Sequence, residues 1–127
     1  MIRPARPDDV PQIMALMHYN GLAVEEVTYA TFTPPCLVDD RNGVLAGFIQ
    51  AHLGHPYAIV TEIAVAPSMQ NKGVAVRLIE HLETVLRCAG MTAWMAYSGN
   101  KRESFHEQLE RYGARCTGEG RAFVRVL

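Results

Sequence analysis

Charge of one sign is what this sequence most plainly lacks. Twelve Lys and Arg stand against thirteen Asp and Glu, a formal net charge of -1 over 127 residues. No global basic field favours nucleic acid as a partner. Half of the basic residues fall between Lys101 and Arg125, but Glu103, Glu107, Glu110 and Glu119 are interleaved with them, which is the pattern of a solvated face. Long apolar runs are missing as well. None approaches the ~18 residues that a membrane helix needs, and the opening MIRPARPDDVP has no apolar stretch of the kind a signal peptide carries. Cysteine is scarce: Cys36, Cys88 and Cys116 are odd in number and far apart, with no CxxC pair and no Cys/His cluster at zinc spacing. These absences lead us to expect no metal, free thiols and a cytoplasmic location. GxxxxGK[ST] and GxGxxG are both absent, which removes the usual nucleotide-binding loops.

What is present is ordinary globular composition, 49% hydrophobic and 20% charged, enough for one core. No repeat, low-complexity tract or linker divides the chain, so we expect one domain over residues 1–127. Ile2–Arg6 reads as a strand. Asp9 reads as a helix N-cap, with Gln12 three residues on as in a capping box and Pro11 in the first turn. Ile13, Leu16 and Met17 form the face of that helix and Gly21 its stop. AVEEVTYATF is read as a short second helix ended by Pro34 and Pro35. Cys36–Asp39 and Val44–His52 flank DRNG, where Asn42-Gly43 signals a hairpin. Ala58–Ala66 is nearly continuously apolar and reads as a strand buried on both faces. The clearest helix follows, with Leu78, Ile79, Leu82, Val85, Leu86 and Ala89 as its apolar stripe and Arg77, Glu80, Glu83 and Arg87 outward. Thr92–Tyr97 is a strand and Lys101–Tyr112 a helix closed by Gly113. Ala114–Thr117 and Arg121–Leu127 form a last hairpin. A strand–helix–strand unit inside this order predicts an α/β fold with a mixed sheet and helices on both faces.

The stretch TEIAVAPSMQNKGVAVRLIEHLE carries the chemistry. A helix start offers unpaired N–H groups and a partial positive charge, and small residues let an anion approach them. Gly73 takes conformations closed to other residues. Val74, Ala75 and Val76 supply amides without long side chains. No Asp or Glu lies between Ala66 and Ile79, while Lys72 and Arg77 do. The pattern suits a pyrophosphate; the bland alternative is a strand-to-helix turn hinged at Gly73.

IAVAPSMQNKGVA resembles the signature of the GNAT superfamily of N-acetyltransferases: an apolar strand ending in V-x-P, then Q/R-x-x-G-x-G/A, with Gln70, Gly73 and Ala75 at the defining positions. The likeness in element order extends over essentially the whole chain. It implies an acyl-CoA N-acyltransferase fold, a central mixed and mostly antiparallel sheet flanked by helices. It implies acetyl-CoA as cosubstrate. Backbone groups of Ile63, Ala64 and Val65 would hold the pantetheine arm, and Gln70, Asn71, Lys72, Gly73, Val74 and Ala75 the pyrophosphate. The strand around Trp94–Tyr97 would splay from Ala58–Ala66 to leave a V-shaped slot. Asn100 matches a cofactor-side Asn of the family or, equally, caps the last helix.

The family's tyrosine that protonates the leaving thiolate is not matched. Its place falls on Leu109 or, with a two-residue insertion, His106. Tyr112 sits on the apolar stripe and reads as core. His106 is either an acid or an inert surface residue. Glu62, the one charged residue within the central strand, is the candidate general base; otherwise it faces solvent or pairs with an Arg. Polar candidates for the acceptor are Glu25, Glu26, Tyr29, His52 and Tyr57. The expected function is transfer of an acetyl group from acetyl-CoA to a primary amine of a small molecule or peptide, by direct attack with a general base. A catalytically weak acyl-CoA-binding module of the same fold is the alternative. A homodimer is expected, from an edge or apolar face exposed at Arg121–Leu127 and from the pairing common among proteins of this resemblance.

Overall fold

The computed structural model describes residues 1–21, 35–97, 109–110, 112–117 and 122–127. Strand β1 (Ile2–Pro4) leads through a 3-10 turn (Pro7–Asp9) to helix α1 (Val10–Tyr19). Strands β2 (Cys36–Arg41), β3 (Val44–Leu53) and β4 (Tyr57–Val65) follow as an antiparallel meander. Helix α2 (Val74–Cys88) then connects β4 to β5 (Ala93–Tyr97), its parallel neighbour. Strands β6 (Arg115–Thr117) and β7 (Ala122–Val126) close the sheet. The order is β1-β2-β3-β4-β5-β7-β6 across seven strands. This is the expected mixed, mostly antiparallel α/β sheet; β4–β5 is its parallel pair. The expected second helix within residues 22–34 lies outside the described residues.

Each face of the sheet has its own core. Ile13, Leu16 and Met17 of α1 pack on Cys36, Val38, Leu45, Phe48 and Ala64. Leu78, Ile79, Leu82 and Leu86 of α2 pack on the opposite face, against Ile49, Val60, Ile63, Trp94 and Phe123 among others. Burial of an apolar side chain of this size contributes about 2 kcal/mol, so these residues decide which faces the helices cover; Val85 and Ala89, read into the α2 stripe, are instead exposed. The Asn42-Gly43 hairpin has φ of 55° and 89° at its two central residues, the left-handed pair that such a turn needs.

Four expectations are corrected. Asp9 does not cap α1: its carboxylate accepts from the Arg6 N–H at 2.7 Å and from Arg3 Nη1 and Nη2 at 2.8 and 2.9 Å. Gln12 instead clamps the β2–β3 turn, donating to Gly43 O at 2.9 Å and accepting from Leu45 N at 2.8 Å. Strand β4 is not buried on both faces, since Tyr57, Ile59 and Thr61 are exposed. Strand β7 is interior, between β5 and β6, so among the described strands the edges are β1 and β6 and the edge expected at Arg121–Leu127 is not one. Finally, Glu83 does not face outward: it is 2% exposed. It lies four residues after Ile79 and so on the covered face, where polar partners on β5, β7 and the segment after β5 meet it.

The N-terminal corner is held by charge. Arg3 bridges Asp9 and, at 3.1 Å, Asp40, and its neighbours hold the Asp9 and Asp40 carboxyls below the usual range. A carboxyl depressed on folding stabilises the protein fully above its unfolded value of ~3.9, and that contribution fades as pH falls below it. Asp9→Asn should therefore cost about 3 kcal/mol at neutral pH, the scale for breaking a largely buried pair. The gap to wild type should close toward pH 3 in urea unfolding; a gap independent of pH would contradict this account.

Candidate active site

The site begins with one extra residue. Gln50 pairs with Glu62, and the next pair is Ala51 with Val60, so Thr61 is a bulge in β4 without a partner in the β3 register. Two effects follow from a bulge: the strand bends, and its alternation resets. Ala58 and Val60 face α2. Strict alternation would send Glu62 into that apolar core. With the bulge, Ile63 takes the place on the α2 face, while Glu62 shares a face with Ala64 on the α1 side.

The bend opens the sheet. Strands β4 and β5 pair from Tyr57–Ala93 to Val60–Ala96 and no further. Tyr97 continues with β7, opposite Ala122, while β4 runs on to Val65 beside β3. The parallel pair therefore splays after Val60. The cavity at its apex is lined by Ile49, Val60, Thr61, Glu62, Ile63 and Trp94, with Ile79, Leu82, Ala96 and Leu109. The Ala66 N–H donates to Ala46 O at 2.8 Å, which fixes the antiparallel phase. Ala64 and Glu62 turn their backbone groups to β3, and Ile63 and Val65 turn theirs to the open edge. Val65 O there accepts from Asn20 Nδ2 at 3.1 Å and lies 3.5 Å from Gln70 Nε2.

From the open edge the chain passes Pro67–Met69 and reaches the start of α2. Asn71 and Gly73 have φ of 61° and 81°. Gly73 is the N-cap, with no side-chain cap and no acid in the first turn of α2. The first bond of the helix runs from the Arg77 N–H to Gly73 O at 3.1 Å, so the amides of Val74, Ala75 and Val76 precede the ladder. Val74 is buried as an anchor while Gln70, Asn71, Lys72 and Gly73 are exposed. Arg77 folds back over the loop: its Nη1 is 3.4 Å from Lys72 O, and its Nη2 is 4.0 Å from Asp39. An uncapped helix start lined by positive charge, beside an open strand edge, fits a long ligand with a pyrophosphate at one end and amide groups along its arm.

Glu62 is half-buried at the mouth of the slot. Thr61 Oγ1 donates to its Oε2 at 2.7 Å. Cys36 and Gln50 stand in register with it across β2 and β3. The Cys36 thiol is pushed up to about 12 by burial and by the charge of Glu62, so it stays a thiol.

The structure thus brings together Glu62, Ile63, Ala64, Val65, Gln70, Asn71, Lys72, Gly73, Val74 and Ala75. It does not bring Tyr57, which begins β4 about 13 Å before Thr61 at the usual rise per residue; His52, paired with Ile59, stands at that same end. Asn100, His106, Glu25, Glu26 and Tyr29 lie outside the described residues. Tyr112 proves more than core: it donates to Glu83 Oε1 at 2.8 Å, and burial and that carboxylate push it up to about 12. Sequence reasoning missed Asn20, Thr61 and Glu83. Only Glu83 carried a signal, a carboxylate at helical spacing between Ile79 and Leu86. Among the described residues no group of His, Cys, Asp and Glu could hold a metal ion, and no helix is long and apolar enough to cross a membrane.

A family model described as the Acetyltransferase (GNAT) family matches residues 10–110. The chain belongs to this family. No curated protein matches it significantly. Among solved structures, Ard1 from Thermoplasma volcanium superposes with a TM-score of 0.85 at 18% identity, over 100% of this chain and 97% of that one. The PaiA N-acetyltransferase from Thermoplasma acidophilum, solved with coenzyme A, gives 0.83 at 13% identity, over 100% and 98%. The ribosomal-protein-S18-alanine N-acetyltransferase from Escherichia coli gives 0.82 at 21%, over 100% and 92%. These likenesses establish the GNAT fold.

The loop can be tested by charge alone. A Cβ on Gly73 would meet Arg77 Nη1 at 3.4 Å, so Gly73→Ala should cost only the ~1 kcal/mol of a left-handed non-glycine residue. Gly73→Asp adds an anion at the helix start and should weaken coenzyme A binding by about 100-fold in calorimetry while circular dichroism stays native. Equal binding by both variants would make Gly73 a structural hinge only.

Proposed function

We propose that this GNAT domain transfers an acetyl group from acetyl-CoA to a primary amine, with Glu62 as the general base. The observation that carries the reading is the bulge at Thr61, which places one carboxylate at the mouth of the slot and turns the backbone of Ile63 and Val65 to its open edge. The cosubstrate, when bound, supplies an activated acetyl thioester. Ile63 and Val65 would hold its arm by backbone hydrogen bonds, and the amides after Gly73 would hold its pyrophosphate, with Lys72 and Arg77 adding charge. An alkyl ammonium with pKa ~10 cannot attack until it loses a proton. Glu62 takes that proton, directly or through a water; the freed nitrogen lone pair then forms the C–N bond as the C–S bond breaks, and the second N–H proton passes to water. The negative charge of Glu62 also favours the approach of a cationic amine.

The leaving thiolate, with a thiol pKa of ~8.5, needs no dedicated acid. Tyr112 is committed to Glu83, which removes it from that role; His106 remains a candidate. The acceptor is a small-molecule or peptide amine. The S18-alanine N-acetyltransferase among the similar folds makes peptide amines a sensible first panel. Glu25, Glu26 and Tyr29 are proposed to meet the acceptor. A reading as an acyl-CoA-binding module of the same fold predicts binding without thiol release.

Glu62→Gln should lower turnover by about 100-fold and leave acetyl-CoA affinity unchanged, because the cosubstrate would be held by backbone groups. Steady-state thiol release across an amine panel, beside calorimetry, measures both. Full turnover by the Gln variant at saturating acceptor would place the base elsewhere.

A further inference from the structure

Glu83 is a buried carboxylate that has no part in the mechanism above. It is 2% exposed, on the face of α2 that covers the sheet. Its carboxylate accepts from Trp94 Nε1 at 2.7 Å, from Tyr112 OH at 2.8 Å and from Arg125 Nε at 3.2 Å. Arg87, one turn on, reaches it at 3.6 Å from the exposed side, and Arg125 also lies over the Tyr112 ring at 5.1 Å. Four separate parts of the chain meet on one side chain: α2, β5, β7 and the helical residues before Gly113.

Replacing a buried charged cluster as a whole with well-packed apolar residues is often neutral or stabilising, whereas removing Glu83 alone would strand its three donors. Stability alone is therefore a weak reason for building a charged cluster here. The partners of Glu83 point elsewhere. Trp94 and Leu109 are walls of the cavity at the apex of the slot, and Leu82, the residue before Glu83, is a third. Trp94 is the only tryptophan in the chain, and its indole ring is fixed by the bond to Glu83 at one end and by the cavity at the other. Leu109 belongs to the same helical segment as Tyr112. Ile49, Val60 and Ile63 line the same cavity. Part of the lining is thus set by the bulged strand, and part of it hangs on Glu83.

We propose that Glu83 is the positioning residue of the slot, holding Trp94 and the Leu109–Tyr112 segment at the separation from Ile63 that the acyl-bearing arm of acetyl-CoA requires. The proposal rests on the acetyl-CoA reading above. Glu83 touches no reacting atom; it acts through Trp94 and Tyr112. Replacement by Gln keeps the shape but turns one acceptor oxygen into a donor, so at least one of the three donors loses its partner in a dry site, and the walls it held are released.

The test uses the full chain, calorimetry with coenzyme A and acetyl-CoA, and Trp94 emission, all well below the melting temperature of each variant. Wild type should bind, and binding should change the Trp94 emission. Glu83→Gln should shift the emission of the free protein, blunt its response to coenzyme A and weaken binding on the order of tenfold. Tyr112→Phe removes one donor only, and should weaken binding less while leaving the free emission near wild type. If Glu83→Gln does not fold, Tyr112→Phe decides: binding equal to wild type overturns the proposal. If Glu83→Gln folds with a lowered melting temperature but binds as wild type does, Glu83 is structural and the proposal falls alone. If wild type itself binds neither ligand, the acetyl-CoA reading falls and this inference with it.

Discussion

Thr61 is one residue more than the register of β3 can match, and the site depends on that mismatch. A regular β4 would keep its alternation and turn Glu62 to the apolar α2 face, with Ala58 and Val60. Burying a lone carboxylate there would cost several kcal/mol. With the bulge, the same residue moves to the α1 side and to the mouth of a slot. Strand β5 does not pair with β4 beyond Val60, and other groups supply hydrogen bonds there, as Asn20 and Gln70 do at Val65 O. The bulge thus links a defect in strand pairing to a binding surface.

The rest of the fold supports the two sides of that opening. The meander β1–β4 is stiffened at its corner by Arg3, Asp9 and Asp40, and Arg77 ties the start of α2 back toward Asp39 at 4.0 Å. The loop of exposed residues 70–73 therefore sits between an anchored strand and a helix whose first side chain, Val74, is 1% exposed. Across the slot, β5 is gripped by β7 along its whole length, and Glu83 gathers the polar groups behind Trp94. A V-shaped cleft between two rigid sides suits acyl transfer, where holding the reactants in register supplies a large part of the rate enhancement.

Much of this was legible from local pattern. The stripes of α1 and α2, the Asn42-Gly43 turn, the stops at Gly21, Gly90 and Gly113 and the uncapped start of α2 all rest on contacts within a few residues, and the matching stretch of the GNAT signature is local too. Most of what escaped depends on distant partners. Asp9 is the exception: its carboxylate turns back to the Arg6 N–H and to Arg3, three and six residues before it, rather than forward to α1. Glu83 looked like a surface residue because Glu83 and Arg87 form a familiar helical pair, and that pair does exist; nothing local announces that Trp94, Tyr112 and Arg125 converge on it. The bulge at Thr61 leaves no mark on a run of β-branched and small residues, since register is a property of two strands. Strand β7 was misjudged as an edge for the same reason: chain order does not reveal that it inserts between β5 and β6.

The central claim is that the opened edge of β4 and the start of α2 together hold acetyl-CoA through backbone amides. Amide hydrogen exchange of the wild-type chain, with and without saturating acetyl-CoA, tests it residue by residue. The account predicts slowed exchange at Ile63, Val65 and Val74–Val76, with no change in the β3–β4 turn around His55. Saturating ligand that slows none of these amides, or that protects the turn instead, would contradict it.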